Sequence, residues 1–150
     1  MDNNISYNKV DDQLYQDVRG YREVIRRLLW MSNMTRPDIL YVVSIAVRDR
    51  EEPSDCHWKL VKRIVIYLKG TRDLGIVHYK EATPLSIRNL DVVIWSDAHW
   101  AGDNIDRKST SGSALTVNGR LVTWPSLKEP VVALSTMGAE FIVEAQATSE

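Results

Sequence analysis

The chain is short of the residues that staple or anchor small proteins. Its 150 residues hold one cysteine, Cys56, which excludes an intramolecular disulfide framework and a cysteine-based zinc site. No apolar run approaches the roughly 20 residues that a membrane span requires. The start, Met-Asp-Asn-Asn, lacks the basic and apolar regions of a secretory leader, so an intracellular setting without a membrane partner is expected. Charge of one sign is also lacking. The formal net charge is −1, so any attraction to nucleic acid has to come from a local patch rather than from the whole field. What remains is ordinary globular material, 44% hydrophobic and 26% charged. A chain of this length makes one domain or two small ones and buries roughly 68–70% of its unfolded surface.

Residues 1–18 are polar and unpatterned, as in a loose lead-in. From Tyr21, the repeat of Val24, Ile25, Leu28 and Leu29 predicts a helix, with Arg22, Glu23, Arg26 and Arg27 opposite and Ser32-Asn33 at its end. Thr35-Arg36-Pro37-Asp38 reads as a new helix start, Thr35 capping and Asp38 answering three residues later. Ile39, Leu40, Val42, Val43, Ala46 and Val47 give that helix its apolar face. Ser54 or Asp55 caps a third helix in which Trp58, Val61, Ile64, Val65 and Leu68 recur, until Gly70 stops it. Three short amphipathic helices on tight connections predict a small bundle over 19–79, ending in a turn and a short strand Ile76–Tyr79. Residues 80–90 are the candidate linker. The third helix carries Lys59, Lys62, Arg63 and Lys69, which suit either a phosphate-tracking face or a plain solvated one. His57 and Trp58 read as packing residues of its first turn.

Beyond the linker, Val92-Val93-Ile94-Trp95 rises into Ser96-Asp97 and is released by Ala101-Gly102-Asp103. This pattern fits a buried strand that ends in an acid, with Asp97 either capping a turn or ligating a metal. Ser113–Val117 and Arg120–Trp124 flank Asn118-Gly119, a strong hairpin signal because both turn residues accept positive φ. A loop over Pro125–Pro130 follows. Ser135 or Thr136 then caps a helix carrying Glu140 in its second turn, expected to face inward across the sheet.

Three runs carry a family resemblance: Ser96-Asp97-Ala98-His99-Trp100-Ala101-Gly102-Asp103, Asp106-Arg107-Lys108-Ser109-Thr110-Ser111-Gly112, and Val132-Ala133-Leu134-Ser135-Thr136-Met137-Gly138-Ala139-Glu140-Phe141. Together they resemble the ribonuclease H region of copia-type retrotransposon Pol polyproteins. Upstream, Tyr21-Arg22-Glu23-Val24-Ile25, Thr35-Arg36-Pro37-Asp38-Ile39, His57-Trp58-Lys59 and Tyr67-Leu68-Lys69-Gly70-Thr71 look like the thumb or connection segment of the same proteins. The resemblance covers roughly 17–150. It implies an α+β chain: a three-helix bundle, then over 91–150 a partial ribonuclease H-like fold of strand, hairpin and helix. It also implies two-metal hydrolysis of the RNA strand in an RNA–DNA hybrid, with Mg²⁺ or Mn²⁺ ions about 3.5–4 Å apart. Asp97 and Glu140 match the catalytic, metal-binding acids. Lys59, Lys62, Arg63 and Lys69 match a thumb helix along the duplex. Lys108, Ser109, Thr110 and Ser111 suit contacts to the sugar-phosphate chain, or form a plain polar loop.

Several departures from the family pattern accompany the match. The family expects a further strand ending in a third Asp, then a fourth acid, and the chain stops at Glu150. His99 and Gly138 stand where acids are usual, and Arg26 where a small residue is usual. Pro125 and Leu127 interrupt a strand end that is usually rich in Ser and Lys. The expectation is a truncated fragment, inactive alone; a second reading is an enzyme after all, with the missing ligands supplied by another chain or by a longer natural product. The alternative is a non-enzymatic module that binds nucleic acid or a partner protein.

Overall fold

A computed structural model of the chain describes residues 13–78, 90–100, 108–133 and 135–147. The chain divides into two compact units, Met1–Gly75 and Ile76–Glu150. The first is helical and the second holds the described strands, so the architecture is mixed α+β.

In the first unit, α1 spans Val18–Met34, a 3₁₀ turn covers Pro37–Ile39, α2 runs Leu40–Arg48 and α3 runs Asp55–Gly70. Asp17 caps α1 by accepting the Gly20 N–H at 2.8 Å. A Cβ on Gly20 would sit 2.1 Å from the Asp17 carboxylate, so only glycine leaves room for this cap. Tyr21, Ile25, Leu28 and Ser32 recur every three or four residues and form the buried stripe of α1. Tyr21, Ile25 and Leu28 meet Ile39, Val43 and Ala46 and, from α3, Leu60, Val61 and Ile64 in one core. Fully burying an aliphatic side chain of this kind is worth about 1.5–3 kcal/mol, which is what holds helices this short in place. The Tyr21 hydroxyl, at the centre of the core, donates to the Ala46 carbonyl at 2.8 Å.

The end of the lead-in is docked rather than loose. Leu14 bridges to Ser54, the Tyr15 N–H donates to Pro53 O at 2.8 Å, and the Tyr15 ring stacks on Trp58 with centroids 4.9 Å apart. Residues 1–12 lie outside the described residues. Ser54 opens α3 as expected, but His57 fills the role usually taken by Glu in a capping box. Its Nδ1 accepts the Ser54 N–H at 3.0 Å, and its Nε2 lies 3.2 Å from Asp49 Oδ2.

The Thr35–Asp38 segment differs from the capping box that its spacing predicts. Thr35 closes α1, its N–H bonded to Met31 O at 3.0 Å. Asp38 instead pairs with Arg36, which is 6% exposed. The guanidinium donates to both Asp38 oxygens, at 2.9 and 2.8 Å, and to Thr71 O and Oγ1, at 2.9 and 2.7 Å. The Tyr67 hydroxyl completes the knot by donating to Asp38 Oδ2 at 2.9 Å. The turn between α1 and α2 is thus tied to the last turn of α3.

In the second unit, β1 (Val92–His99), β2 (Thr110–Val117), β3 (Arg120–Thr123) and β4 (Ser126–Lys128) form an antiparallel sheet. β1 lies along one side of β2, and β3 then β4 share the other. The β2–β3 turn is Asn118-Gly119, both with positive φ (50° and 71°), as the dipeptide predicts. Asn118 also holds the start of β1, its Oδ1 accepting the Asp91 N–H at 2.8 Å. β4 replaces part of the loop expected over 125–130; Pro125 O accepts the Ser113 N–H at 3.1 Å and keeps the chain beside β2. Helix α4 (Thr136–Ala147) packs on β1 and β2 through Ala139 and Val143. Its first turn is capped by Ser135, whose Oγ accepts the Gly138 N–H at 3.1 Å. Residues 76–78 take no regular structure, and Tyr79 and most of the expected linker lie outside the described residues.

Candidate nucleic-acid interface and carboxylate pair

The basic residues of α3 follow from its packing. With Leu60, Val61 and Ile64 turned into the core, Lys59, Lys62, Arg63 and Lys69 are left on the exposed side. Lys62 Nζ lies 5.6 Å from the Trp58 ring centroid, within cation–π range, and Trp58 is in turn fixed by the Tyr15 stack. Ile66, 69% exposed, stands among these cations. Residues 13–78 carry twelve Lys and Arg against eight Asp and Glu, so the helical unit is cationic although the whole chain is not. Several of its acids are already engaged, Asp17 as a cap, Asp38 with Arg36 and Asp49 with His57.

The two candidate carboxylates sit on elements that pack together. Asp97 lies near the end of β1, opposite Gly112 of β2, and Glu140 lies in the second turn of α4. Both are exposed. Glu140 does not turn inward as expected, because the face of α4 that meets the sheet is Ala139 and Val143 and Glu140 stands about 100° round from Ala139. Two hard cations side by side need several shared carboxylates. Among the described residues no group of three or more His, Cys, Asp or Glu side chains is placed to hold a metal ion, so these residues alone do not fit a metal pair. Asp103 and Asp106 lie outside the described residues.

The Lys108–Ser111 run is placed differently from a free polar loop. Lys108 is half-buried, and Ser109, Thr110 and Ser111 are buried at the start of β2. Ser111 Oγ donates to Leu127 O at 3.2 Å and to the Glu129 carboxylate. Glu129 itself is 2% exposed and its N–H bonds Ser109 O at 2.9 Å, pinning β4 to β2. This buried acid escapes sequence reasoning because it stands in a short polar stretch between two prolines. The Arg36 knot escapes it for another reason: Thr71 is 35 residues away, and nothing local links the two.

Comparison with known proteins adds the lineage. The Pol polyprotein of transposon RE2 from Arabidopsis thaliana is 35% identical over 134 residues, 89% of this chain and 9% of its own length. That of transposon TNT 1-94 from Nicotiana tabacum is 33% identical over 87% of this chain, again 9% of its own length. Secreted RxLR effector protein 161 of Plasmopara viticola is 33% identical over 130 residues, 87% of each chain. No family model matches the chain, and no solved structure matches it. A match of this length to Pol polyproteins agrees with the motifs in both units. Over most of its length the chain is similar to copia-type retrotransposon Pol polyproteins. It spans about a tenth of the polyproteins it matches.

Proposed function

We propose that this chain is the thumb-and-ribonuclease-H portion of a copia-type Pol, and that it grips an RNA–DNA hybrid without hydrolysing it on its own. The observation that carries this reading is α3, whose Lys59, Lys62, Arg63 and Lys69 all lie on its exposed side, with Lys62 over the Trp58 ring. Cations so placed match the phosphates of a duplex and read its shape rather than its bases. Asp97 and Glu140 stand as the remaining pair of a two-metal site. Further carboxylates from the longer polypeptide or from a second copy would let such a site take Mg²⁺, or Mn²⁺ in its place. With two acids alone, the charge of two divalent cations is left largely uncompensated.

The test is a labelled RNA–DNA hybrid offered to the full chain with Mg²⁺ or Mn²⁺, beside Asp97→Asn and Glu140→Gln. The expected result is binding without cleavage, with the salt slope falling by about 0.9 for each α3 cation removed. Cleavage abolished by both carboxylate substitutions would overturn the inactive reading. Salt-independent binding would overturn the duplex reading.

A second reading is favoured by the relative of like size. The match to the Plasmopara viticola protein runs over 87% of both chains, and the reading is a non-enzymatic module that binds a partner protein. Under that reading α3 variants leave partner binding unchanged while hybrid binding is absent from the wild type.

A further inference from the structure

We infer that the solvent face of α1 is a second binding surface, built for single-stranded polynucleotide and separate from the α3 face. Arg19, Arg22, Arg26 and Trp30 are spaced three and four residues apart and fall within about 80° of arc on the helix. The buried stripe of Tyr21, Ile25, Leu28 and Ser32 occupies the other side, so all four side chains are exposed. Trp30 is 65% exposed, although a tryptophan this open to water has no place in the packing of the unit. Arg22 is steadied by its Nε bond to the Arg50 carbonyl at 2.9 Å, which leaves its remaining donors for a ligand. Arg19 and Arg26 have no carboxylate partner among the described residues, and Glu23, the acid on this helix, is engaged by Arg27. With Glu23 and Arg27 offsetting each other, the face keeps three arginines and is cationic.

A polyanion answers that charge, and the tryptophan selects among polyanions. A duplex keeps its base faces stacked inside, whereas a single strand offers each base to an aromatic ring, with arginines tracking the phosphates. From Arg19 to Trp30 the face is about 16 Å long, room for the backbone of a few nucleotides. A plain solvated face would have no use for an exposed tryptophan at its end, and an acidic peptide would gain nothing from ring stacking.

The experiment is fluorescence anisotropy of a labelled oligothymidylate with the full chain, repeated with a labelled polyglutamate peptide. Trp30→Ala is expected to weaken oligothymidylate binding roughly five- to hundredfold, with Trp30→Phe retaining most of it. Arg19→Ala with Arg26→Ala is expected to lower the salt slope by about 1.4. Lys59→Ala with Lys62→Ala and Arg63→Ala should weaken hybrid binding more than oligothymidylate binding, whereas Trp30→Ala should do the reverse, which separates the two surfaces. Unchanged affinity and slope in the α1 variants would overturn the inference. So would polyglutamate that binds equally well and is equally sensitive to Trp30→Ala.

Discussion

Arg36→Ala would remove a guanidinium that makes four hydrogen bonds at the junction of all three N-terminal helices. The size of the loss depends on which of two regimes the pair belongs to. An exposed ion pair contributes about 0–1 kcal/mol, whereas removing one partner of a buried pair costs about 3–5 kcal/mol because the other charge is stranded. The Arg36 side chain is 7% exposed and that of Asp38 is 32% exposed, so Asp38 recovers part of its hydration once it is alone. It also keeps the Tyr67 hydroxyl. The low end of the buried range, about 3 kcal/mol, is the expected cost. Arg36→Lys keeps the charge but cannot reach both Asp38 oxygens and Thr71 at once, and about 2 kcal/mol is expected. Urea denaturation followed by circular dichroism measures both, and a double-mutant cycle with Asp38→Ala should return a coupling of about 1–3 kcal/mol. A loss below about 1 kcal/mol for Arg36→Ala would refute the reasoning, since the knot would then be a surface decoration.

Three further outcomes follow from particular groups. Hydrogen bonding from Arg36, with help from Tyr67 and against the opposing effect of burial, holds the Asp38 carboxyl below its usual range. Its stabilising contribution is present above about pH 4, the unfolded value, and is lost as pH falls through the lower folded one. Denaturation midpoints of wild type and Asp38→Asn should therefore converge in acid. Gly119 has φ +71° with open space around it, so Gly119→Ala should cost about 1–2 kcal/mol of backbone strain alone in thermal unfolding. Gly138→Ala should stabilise α4 by roughly 0.5–1 kcal/mol, because its new Cβ meets Ser135 Oγ at 3.4 Å, an ordinary contact that leaves the cap intact. A drop in melting temperature would show that the cap is displaced.

The helices and the hairpin were legible because their signals are local. Val24, Ile25, Leu28 and Leu29 repeat within one helix, although Ser32-Asn33 lies inside that helix rather than at its end, and Asn118-Gly119 states its backbone angles in two residues. The Thr35–Asp38 segment was misread because a capping-box spacing is also the spacing of an Arg–Asp pair, and only the distant Thr71 and Tyr67 decide between them. The docked stretch at 13–17 carries no hydrophobic period, since it is held mainly by backbone bonds to 53–55 and by one ring stack. β4 is three residues long and bounded by prolines, below the length at which alternation says anything. Asp97 and Glu140 lie on the expected elements, but the outward direction of Glu140 was not legible, because it depends on which stripe of α4 meets the sheet. The burial of Ser109, Thr110 and Ser111 depends in the same way on β4, which the sequence hides.

β1 bears on how the carboxylate variants are handled. Among the described residues it has β2 on one side and no strand on the other, and Val92, Val93, Ile94 and Trp95 are all exposed along it. An open strand edge of this kind recruits other chains unless something charged interrupts it. Asp97 is the acid within Val92–His99, and a charge on such a strand is an ordinary safeguard against edge-to-edge association. Asp97→Asn, the natural knock-out for a metal site, therefore also removes that safeguard, whereas Glu140→Gln on α4 does not. A preparation of Asp97→Asn should sediment faster than Glu140→Gln at the same concentration, and its silence in any assay is to be weighed against how much of it is still monomeric.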